Sequence, residues 1–594
     1  MKLQVIFATF MCSLALVASQ GQSTSVSTTS ASEIPHLRKQ GTATQLIVDG
    51  KPFLVLGSQL SVNSASNLAY WKKVVWPRIL TQAKLNTVVA AVSWAKIEPE
   101  EGKFDFSVLD GVIRDARSHN LHLVLLWFAS WKNGLSSYPP NWLKRDFDRF
   151  PRAQLIGGET PWPVLTISNT VPRAKIVGSL SLELLSTLSD ANRDADARAF
   201  AALLRHIKAV DGQQHTVIML QVENEVGMHG DSRDRSPAAD KAFAGPVPKE
   251  LMDYLQKHKD TLVPEFRQVW EAAGFKTSGT WEEVFGQSKA TEGVFMAWNY
   301  ARYIGRVIEA GKAEYPLPMY VNAALYGIGR SPQPIASGGR PWDVVMDVWK
   351  AGGPAIDILS PDIYSEADYN AFCARYSQSG NPLFIPETSG GPGDAARAIY
   401  AFGGHDAIGF SPFAIDRWAG NDAELAGVYD FLSRLSPLIL QHQGKGTMSA
   451  VRLLPNDPPQ KVKVGDYTLE ASYLVPPVRA TLLPPRETMP NSAAILIQTA
   501  PDEYIIAGSG VKVAFSPDTP GPPLAGIGTV EEGTFVNGRW VPGRQLAGDD
   551  TDQGNYVSLW GFWKSAGWPG DATLGKNMYQ RDLSIQRVTL YRYR

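Results

Sequence analysis

From Gln45 onward the chain alternates short, β-rich apolar runs with longer stretches of helical periodicity, and few folds accommodate that alternation. A parallel strand cannot turn straight back into its neighbour. It needs a crossover, usually a helix packed on the sheet. Eight such runs are present, at residues 53–57, 87–92, 122–127, 217–222, 319–325, 356–359, 383–386 and 407–410. Helical patterns separate them at 71–83, 106–118, 195–210, 294–310 and 341–350, and a last one at 423–440 closes the series. This order predicts an α/β chain with a (β/α)8 TIM barrel over residues 41–443. The polar, Pro- and Gly-rich segments 132–189 and 228–249 follow the third and fourth strands. Insertions there belong to the C-terminal face of a barrel, where substrate pockets are built.

After Gln443 the helical period disappears. Short runs at 494–498, 504–507, 511–515, 555–560 and 585–593, separated by Pro and Gly turns, predict an antiparallel β-sandwich domain over 444–594. At the other end, Lys2, an apolar stretch to Val17 and the small residues at 17–19 read as a signal peptide over 1–19. A Ser/Thr-rich flexible spacer is expected over 20–40. The mature protein is therefore expected to be secreted or periplasmic and to have no membrane contact once the signal is removed. Its formal net charge of -1 gives no basic footprint for nucleic acid. The 17 Trp and 20 Tyr can offer faces for sugars, although core packing accounts for most such rings.

Two strand ends carry chemistry. The run Val217-Ile218-Met219-Leu220-Gln221-Val222 leads directly into Glu223-Asn224-Glu225, and Pro382-Leu383-Phe384-Ile385-Pro386 ends on Glu387. A carboxylate at the end of a buried strand costs free energy unless it is paired or hydrogen-bonded, so such placement favours a site. Two carboxyls facing each other are what glycosidic hydrolysis requires: an acid for the leaving oxygen and a partner for the oxocarbenium-like carbon. A structural ion pair is the alternative for either one. Strand alternation alone leaves Glu223 and Glu225 equivalent, because residues two apart share a face.

The run Gln221-Val222-Glu223-Asn224-Glu225-Val226-Gly227 resembles the acid/base motif of glycoside hydrolase family 35, in the clan with catalytic glutamates on strands four and seven. The resemblance implies Glu225 as acid/base, Glu387 as nucleophile and Asn224 as a contact to the sugar 2-hydroxyl. Trp94-Ala95-Lys96-Ile97-Glu98-Pro99 with Gly102-Lys103-Phe104-Asp105-Phe106 is similar to the clan's strand-two loop, with Glu98 read as a structural carboxylate. Trp127-Phe128-Ala129-Ser130-Trp131-Lys132-Asn133-Gly134 resembles the pocket wall of a branch with a β-rich C-terminal domain, which implies Trp127, Trp131 and Asn133 as sugar contacts. In Ser360-Pro361-Asp362-Ile363-Tyr364, Tyr364 takes the place of a Tyr that lies close to the nucleophile. Strand one departs from the pattern, with Gln59 where relatives often have Glu; Asn63 beyond it remains a candidate contact.

These readings predict a retaining exo-β-galactosidase that releases terminal β-linked galactose from plant-type oligo- or polysaccharides, such as xyloglucan-like side chains, by double displacement. A same-clan β-glucosidase, arabinopyranosidase or endo-glucanase is the nearest alternative. A non-catalytic carbohydrate-binding barrel is the alternative of another class. The expected partner is a galactoside, with no cofactor and no metal. His229 has no second ligand at zinc spacing, and neither a nucleophile elbow nor a P-loop occurs.

Overall fold

The computed structural model describes residues 33–82, 84–154, 184–228, 231–328, 338–391, 393–417, 422–475, 486–560 and 583–594. The expected signal peptide and most of the expected spacer lie outside them, as does His229.

All eight apolar runs become parallel strands of one closed barrel. They are Val55–Gln59, Thr87–Ser93, His122–Lys132, Val217–Asn224, Met319–Ala324, Ile358–Ile363, Phe384–Thr388 and Gly409–Pro412, and the eighth pairs with the first. Alternation sorts their side chains. Val55, Val89, Val124, Leu126, Phe128, Ile218, Tyr320, Ile358 and Phe384 fill the barrel interior. Leu54, Leu56, Val88, Leu123, Leu125 and Val321 belong to the larger core shared with the helices. Because both faces are buried, each strand reads as a continuous apolar run. Leu46 and Val48 join the interior cluster from a small N-terminal sheet of His36–Gln40, Ala43–Val48 and Lys51–Phe53. That sheet corrects the expected spacer, since its last five residues, 36–40, pair along Ala43–Val48.

The helices start where the sequence supplies caps. The Ser189 side chain accepts from the Asn192 N–H at the head of Asp190–Asp211, and Ser288 does the same for Thr291 at Lys289–Glu314. Strand four is followed by a long excursion containing the helices Pro237–Phe243, Lys249–Lys257, Pro264–Ala272 and Trp281–Phe285 before Lys289–Glu314 returns along the barrel. Helix Asp394–His405 follows strand seven and Asp422–His442 follows strand eight. None of the described helices is long and apolar enough to cross a membrane.

Beyond the barrel lie two antiparallel sheets. The six-stranded one runs in the order Met448–Leu453, Ser492–Ala500, Glu503–Ser509, Ser584–Tyr593, Leu524–Val536, Arg539–Leu546. The four-stranded one runs Gln460–Val464, Tyr467–Tyr473, Val511–Pro517, Val557–Leu559. Ala494, Leu496, Ile506 and Val588 pack with Leu469, Val511 and Val513 between the sheets, which makes the pair a sandwich. Ala493, Ile495, Ile497, Ile505, Ala507 and Ile585, on the opposite face of the larger sheet, share the barrel's own core. The approach is close at Gly403, where an added Cβ would come within 2.8 Å of Ile495 and 2.9 Å of Ala450.

Candidate active site

Strand four delivers Glu225 by leaving the extended conformation. Glu223 and Glu225 have φ of 62° and 46°, in the left-handed region, so the two carboxyls no longer share a face. Glu223 is fully buried and turns toward helix Asp190–Asp211. Its oxygens accept the backbone N–H groups of Ser130 at 3.1 Å and Trp131 at 2.6 Å, and its carboxyl is hydrogen-bonded to that of Asp196 on helix Asp190–Asp211. Asp196 in turn accepts from Trp127 Nε1 at 2.9 Å and Ser130 Oγ at 2.6 Å. Burial, followed by the charge of Asp196, holds Glu223 well above the ordinary carboxylate range; burial raises Asp196 too. The pair ties the end of strand three to helix Asp190–Asp211.

Glu225 lies at the mouth instead. Its N–H donates to Asn322 Oδ1 at 2.9 Å, and its carboxylate is 4.0 Å from Lys132 Nζ. Across the barrel, Glu387 Oε2 accepts from Gln59 Nε2 at 2.8 Å, and Oε1 accepts a short bond from the Tyr364 hydroxyl. A third acid joins them. Asp362, next to last in strand six, accepts from Asn322 Nδ2 at 2.6 Å and shares a carboxyl–carboxyl hydrogen bond with Glu225. One oxygen from each of Glu225, Asp362 and Glu387 lies within 4.8 Å of the other two.

Three buried carboxyls so close cannot all be ionised. Asp362 is pushed well above its ordinary range by burial and then by the charges of Glu387 and Glu225. Glu387 is also raised, chiefly by burial and by Glu225. Tyr364, Lys132 and Gln59 pull it back in part. Among the described residues this trio is the one compact group of metal-ligand type. Its members are bonded to Tyr364, Gln59 and Asn322.

Asn224 stands beside Glu225 with both side-chain polar atoms buried and unbonded, a donor and an acceptor left for a ligand. Asn133 is exposed at the end of strand three, and its N–H donates to Asn224 O at 3.1 Å. Tyr364 is 48% exposed while holding Glu387. Asn63 is exposed and accepts from Tyr138 Oη at 3.3 Å.

The two tryptophans are a correction. Trp127 lies on the helix-facing side of strand three with Leu123 and Leu125, is fully buried against Trp94 and Phe200, and commits its indole N–H to Asp196. Trp131 is likewise buried, edge-on to Tyr300 and Tyr303, with its N–H donating to Leu185 O. Neither ring offers a face to a sugar. Glu98 accepts from Trp94 Nε1 and Gly102 N, both at 2.7 Å, the structural role read for it. Asp362, Asn322, Lys132 and Gln59 are site residues that motif reading missed. The available signals were an acid two residues before Tyr364, a polar residue just past the apolar run of strand one and another inside that of strand five.

Residues 67–154, which span strands two and three, match the family model for β-galactosidase of glycoside hydrolase family 42. The likeness is to β-galactosidase-like glycoside hydrolases. A β-galactosidase of Xanthomonas manihotis is 29% identical over 205 residues, which is 33% of this chain and 27% of that protein. The chain thus spans about a quarter of the curated relative it matches. Solved β-galactosidases from Rahnella sp. R3 and Bacillus circulans sp. alkalophilus align at 15% and 14% identity, with TM-scores of 0.40 and 0.41. These alignments cover 66% and 65% of this chain and 57% of each structure. Residues 425–558, from the closing helix through most of the sandwich, match a domain of unknown function.

Proposed function

We propose that the protein is a retaining exo-β-galactosidase of the family 35 type, with Glu387 as nucleophile and Glu225 as acid/base. The observation that carries this reading is the pairing of Glu225 and Glu387 across the barrel mouth, with oxygens within 4.8 Å. That closeness fits direct attack by a carboxylate, for which the carboxyl groups stand about 5–5.5 Å apart, rather than the wider gap that admits an inverting water. In the first step Glu387 attacks the anomeric carbon while Glu225 delivers its proton to the departing oxygen. In the second, Glu225 takes a proton from water, which attacks the same carbon and releases Glu387. Tyr364 and Gln59 orient the nucleophile, and Asn224 has the free donor and acceptor needed for a sugar hydroxyl.

The β-galactosidase likeness of residues 67–154 supports galactose as the sugar. The apolar leader over 1–19 supports secretion or a periplasmic location, and hence plant-type oligo- or polysaccharide side chains as substrates. The test uses two variants on nitrophenyl β-D-galactoside. Glu387→Gly should abolish turnover. Glu225→Ala should keep some turnover of this activated substrate, lose poor leaving groups, and with azide give the β-galactosyl azide. Release of glucose or xylose without galactose would refute the sugar assignment, and an α-azide would refute the mechanism.

A further inference from the structure

Two loops determine how Glu387 is presented. One follows strand six and carries Tyr364; the other continues from Glu387 through Thr388 and Ser389. Glu366, two residues beyond Tyr364, joins both loops to the C-terminal sandwich. Its Oε1 accepts from the Arg452 guanidinium and from the Asn491 amide, both of the C-terminal domain. Its Oε2 accepts from Arg397 Nη1 at 2.7 Å. Arg397, on helix Asp394–His405, gives Nη2 to Asp394 Oδ1 at 2.6 Å and to Ser389 O at 2.8 Å. One chain of charge-assisted bonds therefore runs from Arg452 to the residue two places beyond the nucleophile.

Other contacts fix Arg452 in place. Its Nη1 donates to Asn370 Oδ1 at 2.9 Å, and Asn370 Nδ2 returns a bond to Arg452 O at 3.3 Å. Its guanidinium lies 5.1 Å from the Tyr369 ring, whose hydroxyl donates to Arg397 O at 3.1 Å. The Arg452 and Arg397 side chains are 1% and 4% exposed. Buried ion pairs are a weak means of adding stability, because well-packed apolar residues often do as well or better; what they supply here is a fixed geometry.

We propose that Arg452 is a positioning residue for the nucleophile: through Glu366 and Arg397 it holds the strand-six and strand-seven loops in the register at which Tyr364 meets Glu387. The proposal gives the domain of unknown function a part in the active site, and it rests on the reading of Glu387 as nucleophile. Loss of Arg452 removes one of the two donors to Glu366 Oε1 and loosens the Tyr364 bond, one of the contacts that draw Glu387 back toward its ordinary range. The remaining groups around Glu387 are Glu225 from strand four, Asp362 from strand six, Tyr320 from strand five and Lys132 from strand three. Lys132 favours its ionised form, as does the Gln59 amide that donates to Oε2. The acid limb of the pH profile then moves to higher pH.

The experiment compares wild type, Arg452→Met, Arg452→Lys, Tyr364→Phe and the Met/Phe double variant on nitrophenyl β-D-galactoside. Arg434→Ala, which removes a 3.0 Å contact to Thr534 elsewhere in the same interface, is the control. Arg452→Met should lower kcat by about 10- to 100-fold with little change in KM and raise the acid limb, and Arg452→Lys should recover part of both. Tyr364→Phe should add little to Arg452→Met, as expected for residues acting through one unit. Wild-type kcat and pH profile in Arg452→Met and Arg452→Lys, or full additivity with Tyr364→Phe, would overturn the proposal. Hydrogen exchange reads the clamp without catalysis: segments 360–370 and 384–391 should exchange about tenfold faster in Arg452→Lys than in Arg434→Ala. Equal exchange would overturn it as well. If wild type cleaves no glycoside while the exchange difference appears, the function assignment fails and the clamp stands.

Discussion

Asp362 makes this site a three-carboxyl problem. It is buried, is pushed well above the ordinary carboxylate range by burial and then by the charges of Glu387 and Glu225, and lies between Asn322 and Glu225, the carboxyl proposed as acid/base. A neutral acid can donate a hydrogen bond that an ionised one cannot, and bonds to charged groups contribute about 1.5–3 kcal/mol. Asp362→Asn preserves shape, the acceptor for Asn322 and a donor toward Glu225, so kcat should stay within about tenfold of wild type. Asp362→Ala removes the donor and should cost about 10- to 150-fold. Equal losses in the two variants, measured as kcat on nitrophenyl β-D-galactoside, would mean that Asp362 acts as a charge rather than a donor. This residue also marks a limit of sequence reading. Glu225, Glu387, Asn224 and Tyr364 were legible because each sits in a motif at a strand end. The roles of Asp362, Asn322, Lys132 and Gln59 depend on which side chains meet across a closed barrel, and spacing along the chain does not encode that.

At the scale of elements, the ends of strands three and four are tied by the Glu223–Asp196 pair, which gives the fold a pH dependence of definite sign. Both carboxyls are raised in the folded state by burial, so the stability they contribute is present at acid pH and is lost as pH rises through their folded values. Asp196→Asn leaves a single carboxyl with an amide able to donate to it, and removes the neighbouring charge that helps to raise Glu223. Melting temperatures followed from about pH 5 to about pH 8 should fall more steeply for wild type than for Asp196→Asn. Parallel curves would show that the pair does not hold its proton. The same elements explain the error over Trp127 and Trp131. A strand buried on both faces is apolar throughout, so a Trp facing helix Asp190–Asp211 looks like one facing the pocket until the register is known. The eight barrel strands themselves were legible for the complementary reason, since apolar runs bounded by turns survive any error in facing.

At the scale of the whole molecule, the barrel and the sandwich bury parts of one core. Ala493, Ile495, Ile497, Ile505, Ala507 and Ile585 leave the six-stranded sheet apolar toward helix Asp394–His405, while Ala494, Leu496, Ile506 and Val588 make it apolar toward the second sheet. Ending the chain after Gln443 would therefore bare Gly403 and its neighbours on that helix and remove Arg452 and Asn491 from Glu366, leaving the buried Arg397–Asp394 pair with less support. Each fully buried aliphatic side chain returned to water costs about 1.5–3 kcal/mol, and the total stability of a domain is only about 5–15 kcal/mol. Loss of even a few such contacts is thus comparable to what keeps the barrel folded. The truncated barrel is expected to be insoluble or to melt far below the full chain, and the isolated 444–594 segment to associate through its Ile495–Ile505 face. Co-expression of the two pieces should restore soluble barrel, because the missing element is a surface and not a covalent link. Calorimetry of the truncated chain is the check: melting and activity equal to those of the full protein would show that the sandwich is an independent module and that the shared core contributes nothing to holding the barrel.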